Sequence, residues 1–129
     1  MINNPYQTYH NTQAMTASPG ELTLMLYNGV IRFLKQTKQA MEQENLTEMQ
    51  TNMRRSQDII HELMATLNPD IEMSANLFSL YEFMTRHLLN AQLKKDPALV
   101  QDVIELMEDL RNTWSEAIKA TRGQAAAGN

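Results

Sequence analysis

The segment opened by Ser18-Pro19-Gly20-Glu21 constrains this chain more than any other, because it starts a helix whose apolar surface exceeds what the outside of a small domain needs. A serine followed three residues later by glutamate satisfies two orphan amide donors at a helix start, and proline at the first helical position forfeits no hydrogen bond. A surface helix requires one apolar stripe about 100° wide. From Leu22 to Met41 there are two: Leu22, Met25, Leu26, Gly29, Val30, Phe33, Thr37, Ala40 and Met41 follow helical spacing, and Leu24, Tyr27, Ile31 and Leu34 form a second row beside them. Only Asn28, Arg32, Lys35 and Gln39 make a polar stripe. Such a helix either sits centrally or turns its second face to a partner, and the pattern leaves open which row faces inward, since Met25 or Leu26 can exchange roles with the second row.

Three further helices follow with equally clear punctuation. Asn45-Leu46-Thr47-Glu48 caps a second helix carrying Leu46, Met49, Met53, Ser56, Ile60, Leu63 and Leu67 inward, and Asn68-Pro69-Asp70 stops it. A third carries Met73, Leu77, Leu80, Tyr81, Met84, Leu88 and Ala91, with Phe78, Phe83 and Leu89 overfilling its face. Asp96-Pro97 begins a fourth that turns Leu99, Val103, Leu106, Leu110, Trp114 and Ala117 inward and Asp102, Glu105, Glu108 and Asp109 to water. The expected helices are 19–43, 46–67, 70–93 and 97–121. Connections this short force neighbours antiparallel, so the predicted fold is all-α: an up-down four-helix bundle over residues 18–122, with a short mobile N-terminal segment at 1–17 and a disordered tail at 123–129.

Composition removes most functional classes. One core suits 129 residues of which 43% are hydrophobic. A net charge of -4, with basic residues no more clustered than Arg54-Arg55 and Lys94-Lys95, does not suit a phosphate backbone. No apolar run reaches eighteen residues and no secretion leader precedes the bundle, so membrane insertion is not expected and a cytoplasmic location is. Without cysteine there is no thiolate or disulfide chemistry.

Catalysis finds no constellation to carry it. A ferritin-like metal site requires Glu-x-x-His pairs, whereas the nearest approach here is Asp58-x-x-His61 on the polar side of helix two. His10 and His87 read as solvated or capping residues. No glycine-rich phosphate loop or nucleophile elbow is present. The expectation is therefore a non-enzyme with no catalytic residues, no metal and no cofactor. Seven of the ten methionines, Met25, Met41, Met49, Met53, Met73, Met84 and Met107, fall on or beside apolar stripes, where unbranched thioethers serve both as core filler and as adaptable binding surface. Tyr81 and Trp114 carry the same double reading as core aromatics or groove anchors.

Four stretches in order resemble one family. Asn4-Pro5-Tyr6 with Tyr9, Ser18 to Gly29, Leu80-Tyr81-Glu82-Phe83-Met84-Thr85-Arg86-His87-Leu88 and Asp109-Leu110-Arg111-Asn112-Thr113-Trp114 are similar to the FliS family of flagellin export chaperones, over roughly residues 4 to 120. A small departure lies at Ala91-Gln92, where the family more often has Ala-Asn. The resemblance implies a cytoplasmic bundle that binds the C-terminal segment of flagellin one-to-one, prevents its premature polymerisation and delivers it to the flagellar type III export gate, with flagellar regulatory proteins as further possible partners. Leu24, Tyr27, Ile31, Leu34, Tyr81 and Met84 are then the expected client-binding residues. Tyr6 and Tyr9 match the family's N-terminal element, a movable cap over the client groove or an export-gate contact. The rival expectation is a homodimeric structural or adaptor protein that closes its surplus apolar face on a second copy.

Overall fold

A computed structural model of the chain describes residues 18–127, and these form four helices in sequence: α1 (Pro19–Glu42), α2 (Leu46–Ala65), α3 (Glu72–Lys94) and α4 (Pro97–Ala127). No strand occurs among the described residues. Both expected caps are formed: the Glu21 amide donates to Ser18 Oγ at 3.2 Å and the Glu48 amide to Asn45 Oδ1 at 3.2 Å. Ahead of α4 the Ala98 amide donates to Asp96 Oδ1 at 3.0 Å, which explains the start at Pro97.

The helix ends follow local chemistry. At the end of α1 the Asn45 amide donates to the Ala40 carbonyl (2.8 Å) and the Glu44 amide to the Met41 carbonyl (3.1 Å), the paired bonds of a Schellman closure. That closure puts Glu44 at φ 57, and the end of α3 does the same to Lys95 at φ 51. Both turns use the left-handed conformation without a glycine, at a cost of about 1 kcal/mol each. The ends of α1 and α3 fall within one residue of expectation, and three other boundaries differ by more. α2 ends at Ala65, where Thr66 Oγ1 donates to the Leu63 carbonyl at 2.8 Å, and α3 starts at Glu72 behind an Ile71 cap that gives no side-chain bond, because Asn68 Oδ1 holds Asp70 in the preceding turn. α4 runs to Ala127, beyond the expected end at 121 and through most of the segment expected to be a disordered tail; Ala125, Ala126 and Ala127 are the strongest helix formers available. The segment expected at 1–17 lies outside the described residues.

α1 packs on both α2 and α4, and α3 on the same two helices from the opposite corner. The double apolar width of α1 follows from this placement. Leu26, Val30, Phe33, Thr37, Ala40 and Met41 are buried, and so are Tyr27, Ile31 and Leu34 from the second row, because two neighbours embrace about half of the helix's circumference. Leu63, Met84, Leu88, Val100, Ile104 and Met107 meet them from the other three helices. Two buried hydroxyls bond their own helix: Thr37 Oγ1 donates to the Phe33 carbonyl (2.8 Å) and Ser56 Oγ to the Asn52 carbonyl (2.9 Å). Arg32 and Arg55 place guanidinium carbons 5.0 and 5.5 Å from the Phe33 ring centre, so half of the Arg54-Arg55 doublet covers an aromatic face.

Candidate functional site

One end of the bundle stays open. There the start of α1, the end of α2, the α2–α3 turn and the start of α3 diverge around a cleft of about 370 Å3. Leu22, Leu26 and Tyr27 line it from α1, Leu63, Thr66 and Leu67 from α2 and the residues that follow, Met73, Leu77 and Tyr81 from α3, and Trp114 from α4. Ile71 and Met73 at its edge remain 55% and 64% exposed, an arrangement a closed core does not leave. The nearby Phe78 is also exposed. Glu62 is the charged side chain on the lining.

Three aromatic residues build the wall and floor. Tyr27 Oη and Tyr81 Oη lie 2.6 Å apart, a hydrogen bond that spans the α1–α3 diagonal, across which the two helices do not pack directly among the described residues. Burial raises the pKa of both phenols: desolvation dominates at Tyr27, partly offset by the bond from Tyr81, and at Tyr81 desolvation is reinforced by the bond to Tyr27. The pair is therefore neutral across the physiological range. Trp114 sets its ring edge-on to Tyr27, with centres 6.3 Å apart at 76°, and its Nε1 donates to the Gly20 carbonyl at 2.9 Å. That bond ties the first turn of α1 to the far half of α4. Beyond the tryptophan a shallower groove continues over Ser18, Gly20, Ala117, Ile118 and Thr121.

The expected client-binding residues are divided by this geometry. Tyr27 and Tyr81 line the cleft, each only 1% exposed. Ile31, Leu34 and Met84 are buried farther along the bundle and do not line it, since the second row of α1 turns inward rather than outward. Leu24 is half-buried on the flank. Tyr6 and Tyr9 lie outside the described residues. Leu22, Leu63, Ile71, Met73 and Leu77 complete the cleft and were not singled out for binding by the sequence, whereas Leu26, which also lines it, is one of the residues able to exchange roles with the second row of α1; the signal for the others on α2, α3 and their turn is that the apolar stripes run on into that turn.

The remaining candidates sit elsewhere. Asp58 and His61 are exposed on α2. His87 is not simply solvated: its Nε2 lies 2.8 Å from Asp102 Oδ2 and its ring stacks on Phe83 at 5.1 Å, joining α3 to α4. Among the described residues no cluster of three or more His, Asp or Glu side chains is placed to hold a metal, and no helix is long and apolar enough to cross a membrane.

Comparison with known proteins agrees with this architecture. Residues 2–121 match the family model described as flagellar protein FliS. The flagellar secretion chaperone FliS of Bacillus subtilis is 40% identical over 121 residues, covering 94% of this chain and 91% of the relative, and that of Vibrio cholerae is 32% identical over 108 residues, covering 82% and 79%. Among solved structures, a bacterial flagellar chaperone superposes with a TM-score of 0.75 over 90% of this chain and 96% of its own, at 20% identity, a likeness of fold. An all-helical bundle with an open apolar end, matched along nearly its whole length by these relatives, belongs to the FliS family of flagellar secretion chaperones.

Proposed function

We propose that this chaperone binds the C-terminal segment of flagellin one-to-one in the cytoplasm, keeps it from polymerising, and presents it to the flagellar type III export gate. The observation that carries the reading is the cleft at the open end of the bundle, with exposed Ile71 and Met73 at its edge. An amphipathic client helix laid there buries the apolar rim and needs no catalytic group, and ordering an extended client on binding holds the net affinity down. Tyr6 and Tyr9 take the roles the family resemblance implies for them, as cap over the groove or contact with the gate; deleting residues 2–17 then leaves client affinity unchanged or tighter and weakens gate docking. Tyr27 and Tyr81 act as the aromatic anchors of the cleft, while Ile31, Leu34 and Met84 support its floor from within.

Calorimetric titration with the flagellin C-terminal segment tests the reading, with light scattering on the same samples. The expected result is a one-to-one complex with a negative heat-capacity change, as apolar burial requires. No heat and no complex would defeat it. A second reading rests on Phe78, Leu89 and Leu93, which leave α3 with exposed apolar side chains that a second copy would cover. A stable client-free dimer at low micromolar concentration would favour it.

A further inference from the structure

The hydroxyls of Tyr27 and Tyr81 do more than join two helices. Each phenol carries one O–H donor, and two phenols facing each other can use only one of them, because whichever oxygen donates, the other accepts. Among the described residues each of these hydroxyls bonds only the other, so one donor of the pair has no acceptor among them. Both side chains are 1% exposed, and both line the cleft. A buried donor left unsatisfied is costly, and two phenylalanines of nearly the same shape would fill this floor without that cost. The spare donor sits between two residues that line the cleft, where a group entering the cleft can supply its acceptor. Because burial holds both phenols in the neutral form, the pair presents a donor at any physiological pH.

The chemistry of the complement can be specified. Main-chain carbonyls in the middle of a helical client accept from its own amides and lie near the helix axis behind its side chains, so the acceptor that reaches farthest toward the cleft floor is a side-chain oxygen. Apolar walls and the Glu62 carboxylate disfavour a second carboxylate here, leaving the neutral oxygens of Asn, Gln, Ser and Thr. We propose that the Tyr27–Tyr81 pair is the specificity contact of the cleft, donating one hydrogen bond to a neutral side-chain oxygen set among the apolar residues of the bound client helix. This rests on the reading of the cleft as the client site. Its effect is selection: an otherwise apolar helix without that oxygen leaves the donor stranded under a dry lid, and so binds more weakly than a helix that supplies it.

The test is a titration of wild type, Y27F, Y81F and Y27F/Y81F with the flagellin C-terminal segment of the same bacterium, alongside thermal unfolding of each protein. Each single variant keeps one phenol to donate, and binds within about threefold of wild type. The double variant has no donor; it melts no lower than the single variants yet binds about tenfold more weakly, the size expected for one buried hydrogen bond. Replacing the Asn, Gln, Ser and Thr residues of the client one at a time by apolar residues locates the acceptor: one replacement lowers affinity about tenfold against wild type and has no further effect against the double variant. If the double variant does not fold, the client scan against wild type decides, and a scan in which no neutral polar residue matters overturns the proposal. Equal affinity of a folded double variant overturns it as well while leaving the cleft's function intact. Absence of any complex with wild type brings down the functional reading and this proposal together.

Discussion

Trp114 gives the sharpest test of how the open end is held together. In Trp114→Phe the Nε1 bond to the Gly20 carbonyl is lost, but that carbonyl still accepts within α1, so no buried acceptor is orphaned and the loss is about 1 kcal/mol. The smaller ring also weakens the edge-on contact with Tyr27 and exposes part of the half-buried wall, adding roughly another 1 kcal/mol. With an unfolding entropy of about 2.1 cal/mol/K per residue, a total near 2 kcal/mol lowers the melting midpoint of a 129-residue chain by about 7 °C. The loss is local in origin. Circular dichroism reads the midpoint, and amide hydrogen exchange should accelerate first in the opening turns of α1, which the bond pins to α4. A variant that melts within about 1 °C of wild type, with unchanged exchange at Leu22–Leu26, would refute the argument that this side chain fastens the cleft's wall.

Other outcomes follow from the same geometry. Leu34→Ala, at a position fully buried among three helices, should cost about 3–5 kcal/mol in chemical denaturation, a large share of the stability of a domain this size. Glu44→Gly relieves a left-handed residue and should stabilise by about 1 kcal/mol in the same assay; Lys95→Gly should do likewise, with incomplete additivity because Glu44 and Lys95 line the same small hollow at the closed end. In alkali the sign is fixed by burial. Tyr27 and Tyr81 titrate higher folded than unfolded, so the folded state holds more protons, and their contribution is complete below about pH 10 and lost as pH rises beyond it, by up to about 1.4 kcal/mol per pH unit for each. Urea unfolding of Y27F/Y81F should lack that part of the alkaline decline.

The helices were legible because their signals are local. Ser18, Asn45 and the Asn68-Pro69-Asp70 stop act within a few residues of themselves, and the polar stripe of Asn28, Arg32, Lys35 and Gln39 is exposed or bonded outward in the fold. Which face of α1 is core was not legible. An apolar row looks the same whether it meets one helix or two, and only the flanking of α1 by α2 and α4 sends Ile31 and Leu34 inward. The Tyr27–Tyr81 and Trp114–Gly20 bonds join residues 54 and 94 positions apart, beyond any periodicity argument. The two ends of α3 were misjudged least where a cap exists: Ile71 has none, and the start slipped by two residues. At the C-terminus, alanine's helix propensity favours the run of α4 on to Ala127.

The central claim is that the client occupies the cleft formed by Tyr27, Tyr81 and Trp114, and the chain's single tryptophan reports on it directly. Titrating a tryptophan-free flagellin C-terminal segment while following Trp114 emission should give a blue shift that saturates at one equivalent, as the half-buried indole loses its remaining contact with water. A complex that forms in calorimetry yet leaves the emission of Trp114 unchanged would place the client elsewhere on the bundle and contradict the account.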